Sequence, residues 1–169
     1  MERRRNREQI VVATKVGVFN ALSRLFLICL VQYSTNYMRG ADILQKTHYV
    51  GNNLKALHNS VNASLKKLRT DYIDILYVHW WGYTCSVEEV MNGLHNLVVQ
   101  GRVLYLGVSD TPAWIVSRAD AYARLTAKTP FVIYQGKWSI MDRDFERDIL
   151  PMALSEGKQL ITPFVGVAK

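Results

Sequence analysis

The chain has 169 residues, of which 49% are hydrophobic and 21% are charged, and these proportions predict one compact domain with a substantial core. The formal net charge is +7, but four of the arginines lie together within the first seven residues. No nucleic-acid-binding motif with interleaved aromatic residues accompanies that charge, so a nucleic-acid partner is not expected. Cys29 and Cys85 have the spacing of neither a disulfide framework nor a metal site, which favours a reducing compartment, the cytoplasm, and no metal.

The first predicted strand is QIVVATK, residues 9–15, and an apolar segment, VGVFNALSRLFLICLVQ, follows it at residues 16–32. A basic start before an apolar run is the order of a signal peptide or a membrane anchor. However, the strand lies between them, Arg24 interrupts the run, and its 17 residues are barely enough to span a bilayer. Membrane insertion is therefore not expected, and a core helix or a non-native insertion remains open.

Helical and strand patterns alternate from residue 52 onward. Apolar residues at helical spacing predict a helix over residues 54–68, and either Asn52 or Asn53 can cap its first turn. YIDILYVHWW, which starts at Tyr72, is rich in β-branched and aromatic residues and predicts a strand.

A second and a third helix follow in the same alternation. Ser86 and Glu89 form a capping box for the second helix, and Gly101 closes it before the predicted strand at 102–110. Thr111 and Pro112 then supply an N-cap and a first-turn proline for a helix that ends near Leu125.

The last predicted elements are the strand FVIYQGKW from Phe131, a helix over residues 143–155 with Pro151 as a kink or break, and a strand at 159–165. Successive strand centres are about 27 to 30 residues apart with one helix between them, which predicts a parallel α/β sheet. A doubly wound sheet and a (β/α)₈ barrel both remain open. A complete barrel usually needs about 250 residues, so a barrel would make this chain part of one.

Five motifs carry a resemblance to a known family: REQIVVATK, DYIDILYVHWW, GRVLYLGVSD, FVIYQGKWS and RDFERDILPMA. In order and spacing they resemble the aldo-keto reductases, in particular the branch of fungal aryl-alcohol dehydrogenases and norsolorinic acid reductases. The resemblance covers residues 6–15 and 33–157. It implies one incomplete domain over residues 1–169, a partial (β/α)₈ TIM barrel with about the third to seventh strands, and NADP(H)-dependent hydride transfer to or from small carbonyl or alcohol substrates.

The resemblance also assigns catalytic roles. Lys15, at the end of VVATK, matches the lysine that lowers the pKa of a proton-donating tyrosine, because a nearby ammonium favours the tyrosinate. His79 matches the histidine that orients the carbonyl. From the residues alone, a solvent-exposed lysine and a hydrogen-bonded core histidine are the alternatives.

The same resemblance predicts the cofactor contacts. Ser109 and Asp110 match the residues that hold the nicotinamide amide, although many relatives have asparagine in place of Asp110, whose alternative role is to cap a helix. Gln135 matches a carboxamide-binding glutamine, with a polar loop residue as the alternative. Phe164 occupies the approximate position of a ring that stacks on nicotinamide.

Other aromatic and polar residues have structural interpretations as well as functional ones. Trp80 and Trp81 are candidates for the wall of an aromatic substrate pocket, with core or rim residues as the alternative. The remaining histidines match no catalytic residue, and Asp74 resembles a structural carboxylate of the family.

The family's catalytic aspartate and tyrosine precede the VVATK strand and have no match here. The expectation is therefore a truncated and catalytically incomplete reductase, and the alternative is a non-catalytic remnant or binding protein built on a partial βα array. Removing residues 16–32 would join VVATK to YSTNY, as in relatives. Their codons can begin with GT and end with AG, so we interpret the segment as a possible translated intron.

Overall fold

The structure, a computed structural model, describes residues 7–16 and 51–161, and for Lys15 and Val16 it describes the backbone alone. Strands and helices alternate within these ranges. The strands are β1 (Ala13–Val16), β2 (Ile73–His79), β3 (Val103–Ser109), β4 (Ile133–Gln135) and β5 (Gln159–Ile161). The helices are α1 (Leu54–Leu68), α2 (Val87–Val99), α3 (Ala113–Leu125) and α4 (Ile149–Ser155).

The strands form one parallel sheet in the order β1-β2-β3-β4-β5, so each strand pairs with the next one along the chain. A doubly wound sheet reverses its strand order at a switch point, and the described sheet has no such reversal. Consecutive parallel strands with a helix in every gap are the construction of a (β/α)₈ barrel. The prediction of a partial barrel is therefore confirmed, and the doubly wound alternative is wrong.

The two faces of the sheet have different neighbours. Leu76 and Val78 of β2, with Leu106 and Val108 of β3, belong to the core cluster that also contains the buried residues of all four helices. The alternate residues point the other way, because successive side chains of a strand face opposite sides. On this inner face Gly107 lies between Tyr77 and Ile133, and a Cβ added to Gly107 would meet the Tyr77 ring at 2.6 Å.

Two helices begin as the sequence indicates. Asn53, and not Asn52, caps α1: its side chain accepts a hydrogen bond from the Ala56 amide. Ser86 caps α2 through the Glu89 amide. The capping box is nevertheless incomplete, because the Glu89 carboxylate accepts a hydrogen bond from the Leu54 amide.

Other predicted boundaries are wrong. Thr111 does not cap α3, because its hydroxyl donates back to the Ser109 carbonyl and Pro112 occupies the cap position. The predicted helix over 143–155 is a short 3-10 turn, Asp144–Glu146, followed by α4. Pro151 neither kinks nor breaks α4, because it lies in the first turn, where a helix needs no amide hydrogen from it.

The first and last predicted strands also have different bounds in the structure. A 3-10 turn at Arg7–Gln9 occupies the start of the predicted first strand, so β1 begins only at Ala13. Val16, the first residue of the apolar segment, pairs with Val78 as the end of β1. Residues 17–32 and 162–165 lie outside the described residues.

Charged groups hold the amino-terminal edge of the sheet. The Arg7 guanidinium donates to Asp74 Oδ2 at 2.7 Å and to the Tyr72 carbonyl at 3.0 Å, and the same carboxylate accepts from the Val12 amide at 2.8 Å. The Arg7 guanidinium also lies 3.9 Å from the centroid of the Tyr72 ring. Asp74 therefore has the structural contacts that the resemblance implies, and it fastens the approach to β1 onto β2.

A second charged pair at this edge is buried and was not anticipated from the sequence. Lys158 Nζ forms an ion pair with Asp120 Oδ2 and donates a hydrogen bond of 2.6 Å to the Phe131 carbonyl. Asp120 Oδ1 accepts from the Phe131 amide at 2.9 Å. Burial raises the pKa of Asp120, and the hydrogen bond and charge of Lys158 offset part of that rise. The pair thus ties α3 to the residues that enter β4 and β5.

No helix among the described residues is long and apolar enough to cross a membrane.

The close approach at Gly107 predicts a specific packing cost. We expect Gly107→Ala to lower the free energy of unfolding by about 1–3 kcal/mol, because the added methyl group overlaps the Tyr77 ring. Urea unfolding measures the change. The same substitution in a Tyr77→Val background should cost less, and an equal cost in both backgrounds would show that the ring is not the obstacle.

The buried pair should be costly to break. Lys158→Met leaves the Asp120 carboxylate buried without its cation, and we expect a loss of about 3–5 kcal/mol in the free energy of unfolding. The exposed pair between Arg118 and Glu88 provides the control, and Arg118→Met should cost less than about 1 kcal/mol. Adding Asp120→Leu to Lys158→Met should recover part of the loss. Equal costs for Lys158→Met and Arg118→Met in urea unfolding would contradict this assignment.

Candidate active site

The predicted site residues meet at the carboxyl-terminal edge of the sheet. His79, Ser109 and Gln135 are the last residues of β2, β3 and β4, and they are paired in register across the three strands. Their side chains therefore share the inner face, one layer beyond Tyr77, Gly107 and Ile133. Barrel enzymes build their active sites at this edge.

His79 contacts Asp110, the first residue after β3. His79 Nε2 lies 3.1 Å from Asp110 Oδ2, and the Ser109 hydroxyl donates to the same carboxylate oxygen at 3.2 Å. The His79 side chain is 14% exposed and that of Asp110 is 35% exposed, so the contact lies at the partly exposed carboxyl-terminal edge of the sheet and not in the core. The sequence singled out each residue but not their contact.

The backbone at this edge turns sharply after two strands. Trp80 and Asp110 have φ values of 65° and 47°, in the left-handed region that aspartate tolerates better than most residues. The Asp110 amide donates to the Gln135 carbonyl at 3.1 Å, and the Trp80 amide donates to the Ser109 carbonyl at 3.1 Å. These bonds position Asp110 against β4. The alternative role of Asp110 as a helix cap is not observed, because Pro112 precedes α3.

The turn after His79 depends on a residue that the sequence offered only as a possible cap. Asn52 is buried, and its Oδ1 accepts from the Gly82 amide at 2.6 Å. Its Nδ2 donates to the Trp80 carbonyl at 3.4 Å. Asn52 thus fastens the segment after β2 to the start of α1, a contact for which the sequence contains no local signal.

The polar groups at this edge match a carboxamide such as that of nicotinamide. Gln135 carries both an amide donor and a carbonyl acceptor, Ser109 carries a hydroxyl, and Asp110 carries an acceptor. Such a set can receive the NH₂ of a carboxamide and donate to its oxygen. The three residues come from two neighbouring strand ends, which the register of β3 and β4 brings together.

Two buried tyrosines near these strands are unsuited to donate a proton. Burial raises the pKa of Tyr77. Burial also raises the pKa of Tyr134, the Asp110 charge adds to that rise, and the Tyr134 hydroxyl already donates to the Thr111 carbonyl at 2.8 Å. Both shifts are opposite to the lowered tyrosine pKa on which the resemblance relies.

The two tryptophans after His79 separate. Trp80 is 50% exposed at the carboxyl edge, whereas Trp81 is 6% exposed and belongs to the core cluster with the helices. The placement of Trp81 favours the alternative of a core residue, and Trp80 is the one of the two available to a ligand.

The remaining candidates are described in part or not at all. Lys15 is in β1, paired in register with Tyr77, but its side chain lies outside the description. Phe164, Cys29 and His48 also lie outside the described residues. His58 is exposed and contacts Asn62. His95 contacts Thr129, away from the strand ends.

Comparison with known proteins identifies the family of the chain. The family model described as the Aldo/keto reductase family matches residues 1–168. The chain is 61% identical, over 160 residues, to the NADP(+) aryl-alcohol dehydrogenase of Phanerodontia chrysosporium, a match that covers 93% of the chain and 37% of that protein.

Two further relatives are similar. A putative aryl-alcohol dehydrogenase of Saccharomyces cerevisiae is 52% identical, with 95% of the chain and 50% of the relative covered. The norsolorinic acid reductase of Aspergillus flavus is 51% identical, with 95% and 37% covered. The chain thus spans half or less of the length of these relatives. Because the family model matches nearly the whole chain, the chain belongs to the aldo/keto reductase family.

Proposed function

We propose that the chain is the NADP(H)-binding and carbonyl-orienting part of a reductase that acts on aryl aldehydes, aryl alcohols or related small carbonyl compounds. One observation carries the proposal: His79, Ser109, Asp110 and Gln135 converge at the carboxyl edge through the register of β2, β3 and β4. The similarity to an NADP(+) aryl-alcohol dehydrogenase supports the cofactor and the substrate class.

Each residue has a chemical task in this proposal. NADPH, when bound, supplies the hydride that reduces the carbonyl. Gln135, Ser109 and Asp110 bind the nicotinamide carboxamide and so fix the orientation of the ring. His79 donates a hydrogen bond from Nε2 to the substrate carbonyl oxygen, which shares that hydrogen with Asp110 Oδ2, and this bond stabilises the negative charge that develops on the oxygen. Lys15, the penultimate residue of β1, is the candidate for tuning a tyrosine.

The proton donor is the incomplete part of this chemistry. Tyr77 and Tyr134 have raised pKa values, and Tyr134 already donates to a backbone carbonyl. Since neither of these described tyrosines is suited to donate a proton, the proposal is that the chain binds the cofactor without efficient turnover. A non-catalytic role as a binding protein is the second candidate function.

Other parts of the proposal concern the surroundings of the site. Trp80 is half exposed beside His79 and offers an aromatic wall to an aryl substrate. Cys85 is a free thiol, which fits a cytoplasmic location. The interpretation of residues 16–32 as a translated intron stays a prediction.

Loss of the Gln135 amide should weaken cofactor binding. We expect Gln135→Leu to raise the Kd for NADPH about 5- to 30-fold, because one or two hydrogen bonds to the carboxamide are lost. Gln159→Leu is the matched control, since Gln159 is an exposed glutamine at the opposite end of the neighbouring strand. Quenching of tryptophan fluorescence measures both constants. Equal effects of the two substitutions would remove Gln135 from the cofactor site.

Turnover should be absent or very slow. We expect the purified chain to reduce an aromatic aldehyde no faster than the background oxidation of NADPH, because neither Tyr77 nor Tyr134 is tuned to donate a proton. NADPH absorbance follows the reaction. Robust turnover that His79→Ala abolishes and the control His58→Ala preserves would contradict the expectation and establish the chain as an enzyme.

A further inference from the structure

The contact between His79 and Asp110 joins two groups with unequal hydrogen-bonding capacity. His79 Nε2 lies 3.1 Å from Asp110 Oδ2. A carboxylate in its ionised form, the form of an aspartate at neutral pH, accepts hydrogen bonds and donates none. The hydrogen of this bond therefore belongs to Nε2.

We propose that Asp110 is a positioning residue that holds His79 as the Nε2–H tautomer and thereby makes the ring a hydrogen-bond donor at the carboxyl edge. The inference deepens the proposed function and rests on it, because an incoming carbonyl oxygen requires a hydrogen on Nε2, which it would share with Asp110 Oδ2. The two tautomers of a neutral histidine interchange donor and acceptor, so a ring held in the other form would turn a lone pair toward that oxygen.

The other ring nitrogen supports the same tautomer. His79 Nδ1 is buried and has no hydrogen-bond partner among residues 7–16 and 51–161. A hydrogen on Nδ1 would be a buried donor without an acceptor, which costs about 1–3 kcal/mol. It would also leave a lone pair on Nε2 facing the Asp110 carboxylate. Both effects disfavour the Nδ1–H form, and both result from this one arrangement of His79.

Asp110 is itself held firmly enough to impose this choice. Its amide donates to the Gln135 carbonyl at 3.1 Å, and its Oδ2 accepts from the Ser109 hydroxyl at 3.2 Å. Its backbone occupies the left-handed region, with φ at 47°. The carboxylate is therefore positioned by β3 and β4 together, whereas the histidine that it contacts ends β2.

This geometry explains what an aspartate at position 110 provides that an asparagine does not. An asparagine at position 110 could turn either its oxygen or its NH₂ group toward His79, and the NH₂ group would favour the Nδ1–H tautomer. A carboxylate presents acceptors alone. Aspartate therefore selects one tautomer where asparagine permits two.

Nitrogen NMR of the full chain with labelled histidine tests the inference without cofactor or substrate. The His79 resonances are assigned by their loss in His79→Gln. We expect wild type to show the Nε2–H tautomer, Asp110→Asn to add a minor population of the Nδ1–H tautomer, which the buried Nδ1 still disfavours, and Asp110→Gly to show an Nε2 hydrogen that exchanges with water about tenfold faster. Glycine tolerates the left-handed backbone at this position.

His95 is the internal reference, because its Nδ1 accepts from the Thr129 amide and its tautomer should not respond to either substitution. A wild-type His79 in the Nδ1–H form would overturn the inference, as would an unchanged tautomer and exchange rate in both variants. If Asp110→Gly fails to fold, the His79 tautomers of wild type and Asp110→Asn still decide whether the inference holds. Failure of NADPH to bind in the separate titration would reject the proposed function and leave the tautomer result standing.

Discussion

The parallel register of neighbouring strands is the constraint on which the candidate site depends. His79, Ser109 and Gln135 are in register across β2, β3 and β4, and alternation places them on the same face as Tyr77, Gly107 and Ile133. A slip of one residue in any pairing would turn that strand's site residue toward the helices. The Tyr77 ring against Gly107 opposes such a slip, because no other residue type leaves room for the ring.

The two edges of the sheet satisfy their polar groups in different ways. At the amino edge, Asp120 is fully buried, and its two carboxylate oxygens meet Lys158 and the Phe131 amide. At the carboxyl edge, by contrast, the Asp110 carboxylate remains partly exposed and His79 retains a buried nitrogen without a partner in the described parts of the chain. In barrels of this kind, residues at the amino edge generally serve stability and the active site is built at the carboxyl edge.

Local sequence signals predicted much of the fold and of the candidate site. Hydrophobic periodicity indicated each helix and strand, but the predicted strands ran past His79, Ser109 and Gln135, where the observed strands end. Strand order depends on which strands pair, and periodicity within one segment does not report pairing, so it could not separate a barrel from a doubly wound sheet. The cap assigned to Thr111 was wrong because its hydroxyl has a better acceptor behind it, the Ser109 carbonyl. The contact of Asp110 with His79 likewise required the fold, since no local pattern reports it.

The consecutive order of the strands has a consequence for how the chain folds. From β2 onward, each strand in the described sheet pairs with a strand that precedes it by one α-helix and its connections, so none of these pairings must wait for a distant part of the chain. The entropy of closing such loops grows only slowly with their length. During synthesis, β3 would therefore leave the ribosome after β2, and each later strand could pair with the strand that precedes it.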